Sequence, residues 1–350
     1  MNIRYQLCPQ MKIYDQIGYR WLPNIMFNQK PNYKSEILNT DNYGLRFNSK
    51  KNSLKQKTIF ETEYKNKNIS VLIGGSASFG VGSDSDDKTI ASNLSKNSNT
   101  FVYNFGGTAF NGFQEIILFL SLINKLDNLK NIVIFSGIND LYMFSNENFF
   151  CDFPGPFYFN KKFLTNMNNS NIGFKRLLLK YFLKIIPVNT NENDFININK
   201  KDLMKYLINS NFRKNLKSKI KYPEISIKEV IVRNLKFWKL ISLALEINVT
   251  FFFQPLIYWC KELCSEEEKL TEYSNDLDVL KFIEKFKKKD KYQEIKNLFE
   301  KECFKNNIKF FDTNEFFKDN SKKNDWFFVD HIHLNNNGYE FLSNFIKEKI

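Results

Sequence analysis

Histidine is nearly missing from this chain: it occurs twice in 350 residues, at His331 and His333. A metal centre built from several imidazoles is therefore disfavoured, and a search for an imidazole base narrows to one short stretch. Cysteine is scarce as well. The five thiols, Cys8, Cys151, Cys260, Cys264 and Cys303, are an odd number at irregular spacings. The chain is long enough to build its own core, so a disulfide framework is not expected and a reducing compartment fits best. Cys260 and Cys264 can share a helix face, but further ligands for a metal are lacking. No cofactor and no metal are expected. Long apolar runs are missing too, since no stretch reaches the roughly 18 uninterrupted residues of a membrane span. The opening Met1-Asn2-Ile3-Arg4-Tyr5-Gln6 lacks the apolar region of a secretory signal. A cytoplasmic location is the expectation.

What is present is globular in composition, with 43% hydrophobic and 25% charged residues, and rich in aromatics, with 37 Phe and 16 Tyr. The formal charge of +13 raises the question of a nucleic-acid partner. Its lysines are scattered, and the densest runs, at 214 to 221 and 281 to 291, alternate with apolar residues as the solvated faces of amphipathic helices do. No zinc-finger, helix-turn-helix or RNA-binding signature accompanies them, so no nucleic acid is expected.

Residues 1–65 are polar and punctuated by Pro9, Gly18, Pro23 and Pro31. They read as an extension packed on the core rather than as a separate domain. A regular alternation follows within 66–350. Strands are predicted at Ile69 to Ile73, Phe101 to Phe105, Asn131 to Phe135, Val249 to Phe253 and Ile308 to Phe311. Helices are predicted at Lys88 to Lys96, capped by Asp86 or Asp87, then at Phe113 to Leu126, Ile227 to Ile247, 266 to 306 and Asn336 to Lys349. The order implies a three-layer α/β/α fold around a mostly parallel sheet. Between about 145 and 225 the pattern changes to a helical insertion.

In such a sheet, ligands bind outside the carboxyl ends of the strands. Three stretches there carry chemistry. Gly74-Gly75-Ser76-Ala77-Ser78-Phe79-Gly80 places a serine where a helix begins, where backbone N–H groups favour a developing negative charge; the same letters also suit a plain strand-to-helix turn, and a P-loop lysine is missing. Gly137-Ile138-Asn139-Asp140 offers a neutral amide donor for an oxyanion, or an Asx-turn. Asp330-His331-Ile332-His333 spaces a carboxylate and an imidazole so that the first orients the second, leaving its far nitrogen to take a serine proton. The alternative use of His331 and His333 as metal ligands ranks below it.

Together, in this order, the three stretches strongly resemble the SGNH hydrolase family, also called the GDSL-type esterases and lipases. Gly74 to Gly80 matches the G-x-S-x-x-x-G block, Gly137 to Asp140 the G-x-N-D block and Asp330 to His333 the D-x-x-H block. Asn104-Phe105-Gly106-Gly107-Thr108-Ala109 is similar to the remaining block, with Ala109 where a glycine is usual, and Gly75 stands in place of the usual aspartate. The resemblance implies a flavodoxin-like fold, Ser76 as nucleophile, His333 as base and Asp330 as its orienting acid. It implies an oxyanion hole from Asn139 with the backbone of Ala109 or Gly106. Asp15 to Arg20 and Asn42 to Arg46 look like extensions on bacterial members. Arg46 and Gln254 are candidates for binding substrate, against the plainer readings of a surface arginine and of a strand closed by Pro255. The implied activity is hydrolysis of an O-acyl ester, often an acetyl group on a carbohydrate or a lipid; of these a glycan ester is the expectation over a triglyceride, since a cytoplasmic protein without a membrane span is poorly placed for lipid. The rivals are acyl transfer to a sugar hydroxyl by the same residues, and a non-catalytic glycan-binding protein of the same fold.

Overall fold

A computed structural model describes residues 3–61, 67–96, 98–145, 157–158, 225–272 and 277–350. The chain divides into two units, Met1–Asn148 with Ser226–Ile350, and Phe149–Ile225. The helical insertion expected at about 145–225 lies almost wholly outside the described residues.

Seven strands are described: β1 (Tyr19–Leu22), β2 (Met26–Gln29), β3 (Asn68–Gly74), β4 (Thr100–Gly106), β5 (Leu129–Ser136), β6 (Asn248–Phe253) and β7 (Lys309–Asp312). The last five form one sheet in the order β4-β3-β5-β6-β7, every neighbouring pair parallel. A parallel sheet covered by helices buries both faces, so its strands read as unbroken apolar runs. Val71, Leu72 and Ile73 are accordingly all fully buried, and each such side chain contributes roughly 1.5–3 kcal/mol. Leu72, Val102, Val133, Phe135 and Phe252 turn to one face and pack with the helices Ile90–Ser95 and Asn336–Lys349 through Ile90, Leu94, Leu342 and Ile346.

The abundance of phenylalanine has a structural use at the β6–β7 edge. Registered neighbours Phe251 and Phe310 stack with ring centroids 6.2 Å apart, and Phe252 and Phe311 at 5.3 Å. From the helix Lys289–Lys305, Phe299 stacks on Phe251 at 5.2 Å and lies 5.0 Å from Phe253. Such pairs add stabilisation beyond their buried area, about 0.5–1.5 kcal/mol each.

The predicted strands lie within one residue of the observed ones at most ends, and the last helix matches at Asn336–Lys349. Two expectations are corrected. The helix predicted from Lys88 starts at Ile90 and is capped by Thr89, whose side chain accepts from Ser92 N–H; Asp86, fully buried, is committed to Arg46 instead. The helix predicted over 266–306 is interrupted at residues 287–288, between the helices Leu277–Phe286 and Lys289–Lys305, with Ser265–Glu272 helical ahead of them. At that interruption the indole N–H of Trp259 donates to the Phe286 carbonyl at 2.8 Å, satisfying the helix end from a distant element.

The amino-terminal residues are tied at named points to the loop and helix that follow β4. β1 and β2 form an antiparallel hairpin whose buried Phe27 packs edge-on against Phe110 at 5.7 Å. Gln114 Nε2 donates to the Ile25 carbonyl, and Gln29 Nε2 to Thr108 Oγ1. In the strand order, β3 leads outward to β4 on one side, while β5 lies on the other and leads away. The crevice created by that reversal opens outside the carboxyl ends of β3 and β5.

Candidate active site

Beyond β3 the chain turns at Gly75 into the four-residue helix Ser76–Phe79, closed by Gly80 in the left-handed conformation with φ of 94°. Gly80 N–H returns to the Ser76 carbonyl at 3.0 Å, and Ser78 Oγ donates to the Phe135 carbonyl of β5 at 2.8 Å. The serine hydroxyl is thereby fixed at a helix start, where first-turn N–H groups have no partner within the helix. Side-chain bulk is excluded just before it. A Cβ on Gly75 would lie 2.4 Å from Asn139 Nδ2, so the glycine lets that amide sit against the backbone ahead of Ser76.

The second contributor is the loop that begins after Val329. Phe328 and Leu334 form an antiparallel bridge, and Val329 N–H donates to the His333 carbonyl at 2.9 Å, closing a tight loop. Inside it Asp330 Oδ1 accepts from the N–H groups of Ile332 and His333 at 3.0 and 2.9 Å. Asp330 Oδ2 lies 2.7 Å from His333 Nδ1, and His333 Nε2 lies 2.6 Å from Ser76 Oγ. With the carboxylate accepting at Nδ1, the imidazole is assigned the tautomer whose Nε2 accepts the serine proton. Burial alone would raise the Asp330 pKa. The adjoining imidazole, the Arg4 guanidinium and the Ile332 N–H outweigh burial and hold this carboxyl well below its ordinary range. It remains an anion, able to stabilise a protonated His333.

Asn139, in the helix Ile138–Ser145 after β5, donates through Nδ2 to the Phe110 carbonyl at 2.8 Å. Its neighbour Asp140 accepts from Gly112 N–H at 3.2 Å, locking this helix to the start of the helix Gly112–Leu122. Burial lifts Asp140 to about 6, with the Gly112 N–H and Arg233 opposing. Glu115, buried and then further raised by Asp140, stands at about 8 and accepts from Ser136 Oγ at 2.6 Å. Burial of both carboxyls thus favours the protonated form of this pair beside the helix that carries Asn139.

Of the backbone donors expected from the 104–109 loop, Gly106 is not open. Its N–H donates to Asn104 Oδ1 at 2.9 Å, and its own place is one of close contact, since a Cβ there would meet Phe79 N at 2.1 Å. Gly107 N–H is taken by the Gly74 carbonyl at 2.9 Å. Ala109 is held with φ of 59°, and among the described residues its N–H reaches no acceptor. A left-handed conformation in a residue with a Cβ is held against a local penalty of about 1–2 kcal/mol. The Tyr19 and Gln29 contacts to Thr108 brace it from the hairpin.

Both candidates for binding substrate are corrected. Arg46 is fully buried. Its Nε donates to Asp86 Oδ1 at 2.9 Å, Nη1 to Tyr14 Oη and the Phe79 and Gly80 carbonyls, and Nη2 to the Ile37 carbonyl. A guanidinium satisfied in this way clamps the end of the Ser76 helix and presents nothing to a ligand. Gln254, 1% exposed, turns its Nε2 to the Ile332 carbonyl at 3.4 Å. It supports the loop carrying His333, for a reason the sequence does not display: their contact joins remote parts of the chain. His331 meets a different partner, with Nδ1 3.2 Å from Tyr258 Oη. Sequence reasoning overlooked Arg4, whose Nη2 lies 3.8 Å from Asp330 Oδ2, because nothing local marks an arginine that meets a carboxylate near the other end of the chain.

No family model and no curated protein matches the chain. Among solved structures it is similar to an extracellular lipase from Streptomyces rimosus (11% identity, 81% of this chain and 100% of that one, TM-score 0.40). It is also similar to a lipase/acylhydrolase from Enterococcus faecalis (11% identity, 81% and 95%, TM-score 0.38). A member of the lipolytic G-D-S-L family from Veillonella parvula gives 10% identity over 80% and 96%, with a TM-score of 0.38. At this degree of overlap the fold and the site rest on the strand order and the distances above.

Proposed function

We propose that this chain is a serine esterase of the SGNH hydrolase type, cleaving O-acyl esters through an acyl-enzyme. One observation carries the reading: Ser76 Oγ, His333 and Asp330 form an unbroken chain of contacts at 2.6 and 2.7 Å between side chains 257 positions apart. In the proposed reaction His333 Nε2 removes the Ser76 proton as Oγ attacks the ester carbonyl, and Asp330 stabilises the imidazolium that results. The developing oxyanion is received by the Asn139 amide and by the N–H groups of Ser76 and Ala109. His333 then gives its proton to the leaving alcohol, and the same imidazole activates water to release the acid.

The substrate we propose is an O-acetyl or other short O-acyl ester on a carbohydrate or glycan, met in the cytoplasm. In support of that setting, Cys8, Cys260, Cys264 and Cys303 are free and buried, and no helix among the described residues is long and apolar enough to cross a membrane. Labelling with a fluorophosphonate probe tests the nucleophile. The native chain is expected to label and Ser76→Ala to lose the label together with turnover, by on the order of 10⁶-fold. Labelling that survives the substitution overturns the assignment. Acetate release from acetylated sugars, compared with long-chain lipid esters and with and without a sugar acceptor, tests the substrate class and separates hydrolysis from transfer.

A further inference from the structure

We infer that Arg4 is a positioning residue of the Ser76–His333–Asp330 chain, an arginine that acts through Asp330 to set the pH at which His333 becomes available as a base. The inference rests on the function proposed above. Its structural basis is a line of three charges at the mouth of the Asp330 loop. Arg4 stands in the helix Ile3–Leu7, with Nη1 2.7 Å from Asp15 Oδ2 and Nη2 3.8 Å from Asp330 Oδ2. The first contact is a hydrogen-bonded ion pair that fixes the guanidinium, and Tyr5 Oη donates to the same Asp15 oxygen at 2.8 Å. The second is too long for a hydrogen bond, so Arg4 offsets the charge of Asp330 without competing for the lone pairs that hold the imidazole.

Charge arithmetic gives the direction. An isolated carboxylate at Nδ1 stabilises the imidazolium, the form that cannot accept from serine. A guanidinium beside that carboxylate weakens this preference, while Asp15 returns part of it. Other groups face the same place. Cys8 stands close enough to Asp330 and Arg4 to feel both charges, and its thiol is pushed up to about 11, chiefly by burial. Buried Tyr339 also feels the Asp330 charge, and burial chiefly raises it, as burial raises Tyr14 on the neighbouring helix Met11–Gln16. His331 adjoins on the loop itself, its pKa lowered by burial. The helix Ser265–Glu272 packs on the Arg4 helix; of its charged residues, Glu267 is held by Lys261, Glu268, Lys269 and Glu272 are exposed, and Glu266 is half-buried. Arg4 is the cation among the described residues found within 4 Å of Asp330 besides His333 itself.

The chain holds only two histidines, which allows a direct measurement. With ¹⁵N-histidine in the full-length protein, the ring nitrogens of His333 are followed by NMR against pH in the native chain and in Arg4→Gln, Arg4→Lys and Asp15→Asn. His333→Asn serves to assign the signals. Removing the guanidinium is expected to raise the His333 midpoint by about half a pH unit, roughly threefold in the protonation equilibrium. Asp15→Asn is expected to lower it, and Arg4→Lys to stay near the native value. The acid limb of kcat/KM for an aryl acetate should move by the same amounts in the same directions, a pattern that loss of packing alone does not produce. Should Arg4→Gln fail to fold, the Asp15→Asn shift carries the test with the same force. A His333 midpoint unmoved in both variants, or moved the same way by both, overturns the inference. Failure of the proposed function would show differently, as a native chain that neither labels with fluorophosphonate nor turns over esters.

Discussion

The two loops that supply the serine and the imidazole are fastened by opposite means. The turn at Ser76 is held from behind. A fully buried guanidinium, paired with an equally buried Asp86, grips the carbonyls of Phe79 and Gly80. Asp330, by contrast, holds its loop from within, accepting two backbone N–H groups and the imidazole while its side chain keeps 19% of its surface exposed. Charge is used in both places, but the first is closed to solvent and the second open to the reaction. A substitution in the first should therefore unseat the fold, and one in the second should disable chemistry in a fold left standing.

The largest expected effect separates these outcomes most cleanly. Asp330→Asn keeps the shape of the side chain but reverses the preferred donor at Nδ1, and turnover should fall by about 10⁴-fold while the thermal midpoint moves little. Circular dichroism melts beside esterase rates check it, and a large loss of stability would put Asp330 with the structural charges instead. Arg46→Ala should do the reverse, destabilising the chain by about 3–5 kcal/mol in urea titration because Asp86 is left buried without its cation. Stability within about 1 kcal/mol of the native chain would break the comparison from that side.

A third effect concerns the acid pair below Asn139. Glu115 is raised in the folded chain from 4.5 to about 8. A carboxyl whose folded pKa is raised contributes its full stability below the unfolded value, and that contribution is lost as pH rises through the folded one. The native chain should accordingly lose stability between about pH 4.5 and 8, and Glu115→Gln should flatten this slope in melts recorded across the range. A slope that persists unchanged would show that the proton resides elsewhere. The smallest effect is expected at Ala109, whose φ of 59° a glycine adopts freely. Ala109→Gly should stabilise by about 0.5–1 kcal/mol, the relief of strain being partly offset by a freer unfolded chain. Destabilisation would mean that the methyl group packs to advantage.

Much of this arrangement was legible in the sequence because it is encoded locally. The apolar runs at 69–73 and 131–135 have few alternatives to buried strands, and the short blocks around Ser76, Asn139 and His333 each hold their candidate groups within a few letters. Other features were not legible, because their partners are distant. Asp86 looks like a helix cap until Arg46 claims it, and Gly106 looks like a free donor until Asn104 accepts from it. The stretch through Lys287 and Lys288 has no helix breaker, and the helix ends there with a tryptophan from elsewhere holding its last carbonyl. Arg46 and Gln254 were misjudged for the same reason: composition marks them as polar, and only the fold shows them enclosed.

The separation of 257 positions between the proposed nucleophile and its base has a consequence for biosynthesis. During translation the hydroxyl side is completed long before the imidazole is made, so a nascent chain carries an ordinary, unreactive serine through most of its elongation. On the mechanism proposed above, a chain terminated upstream of position 333 would lack the imidazole and, with it, the activity proposed for the whole.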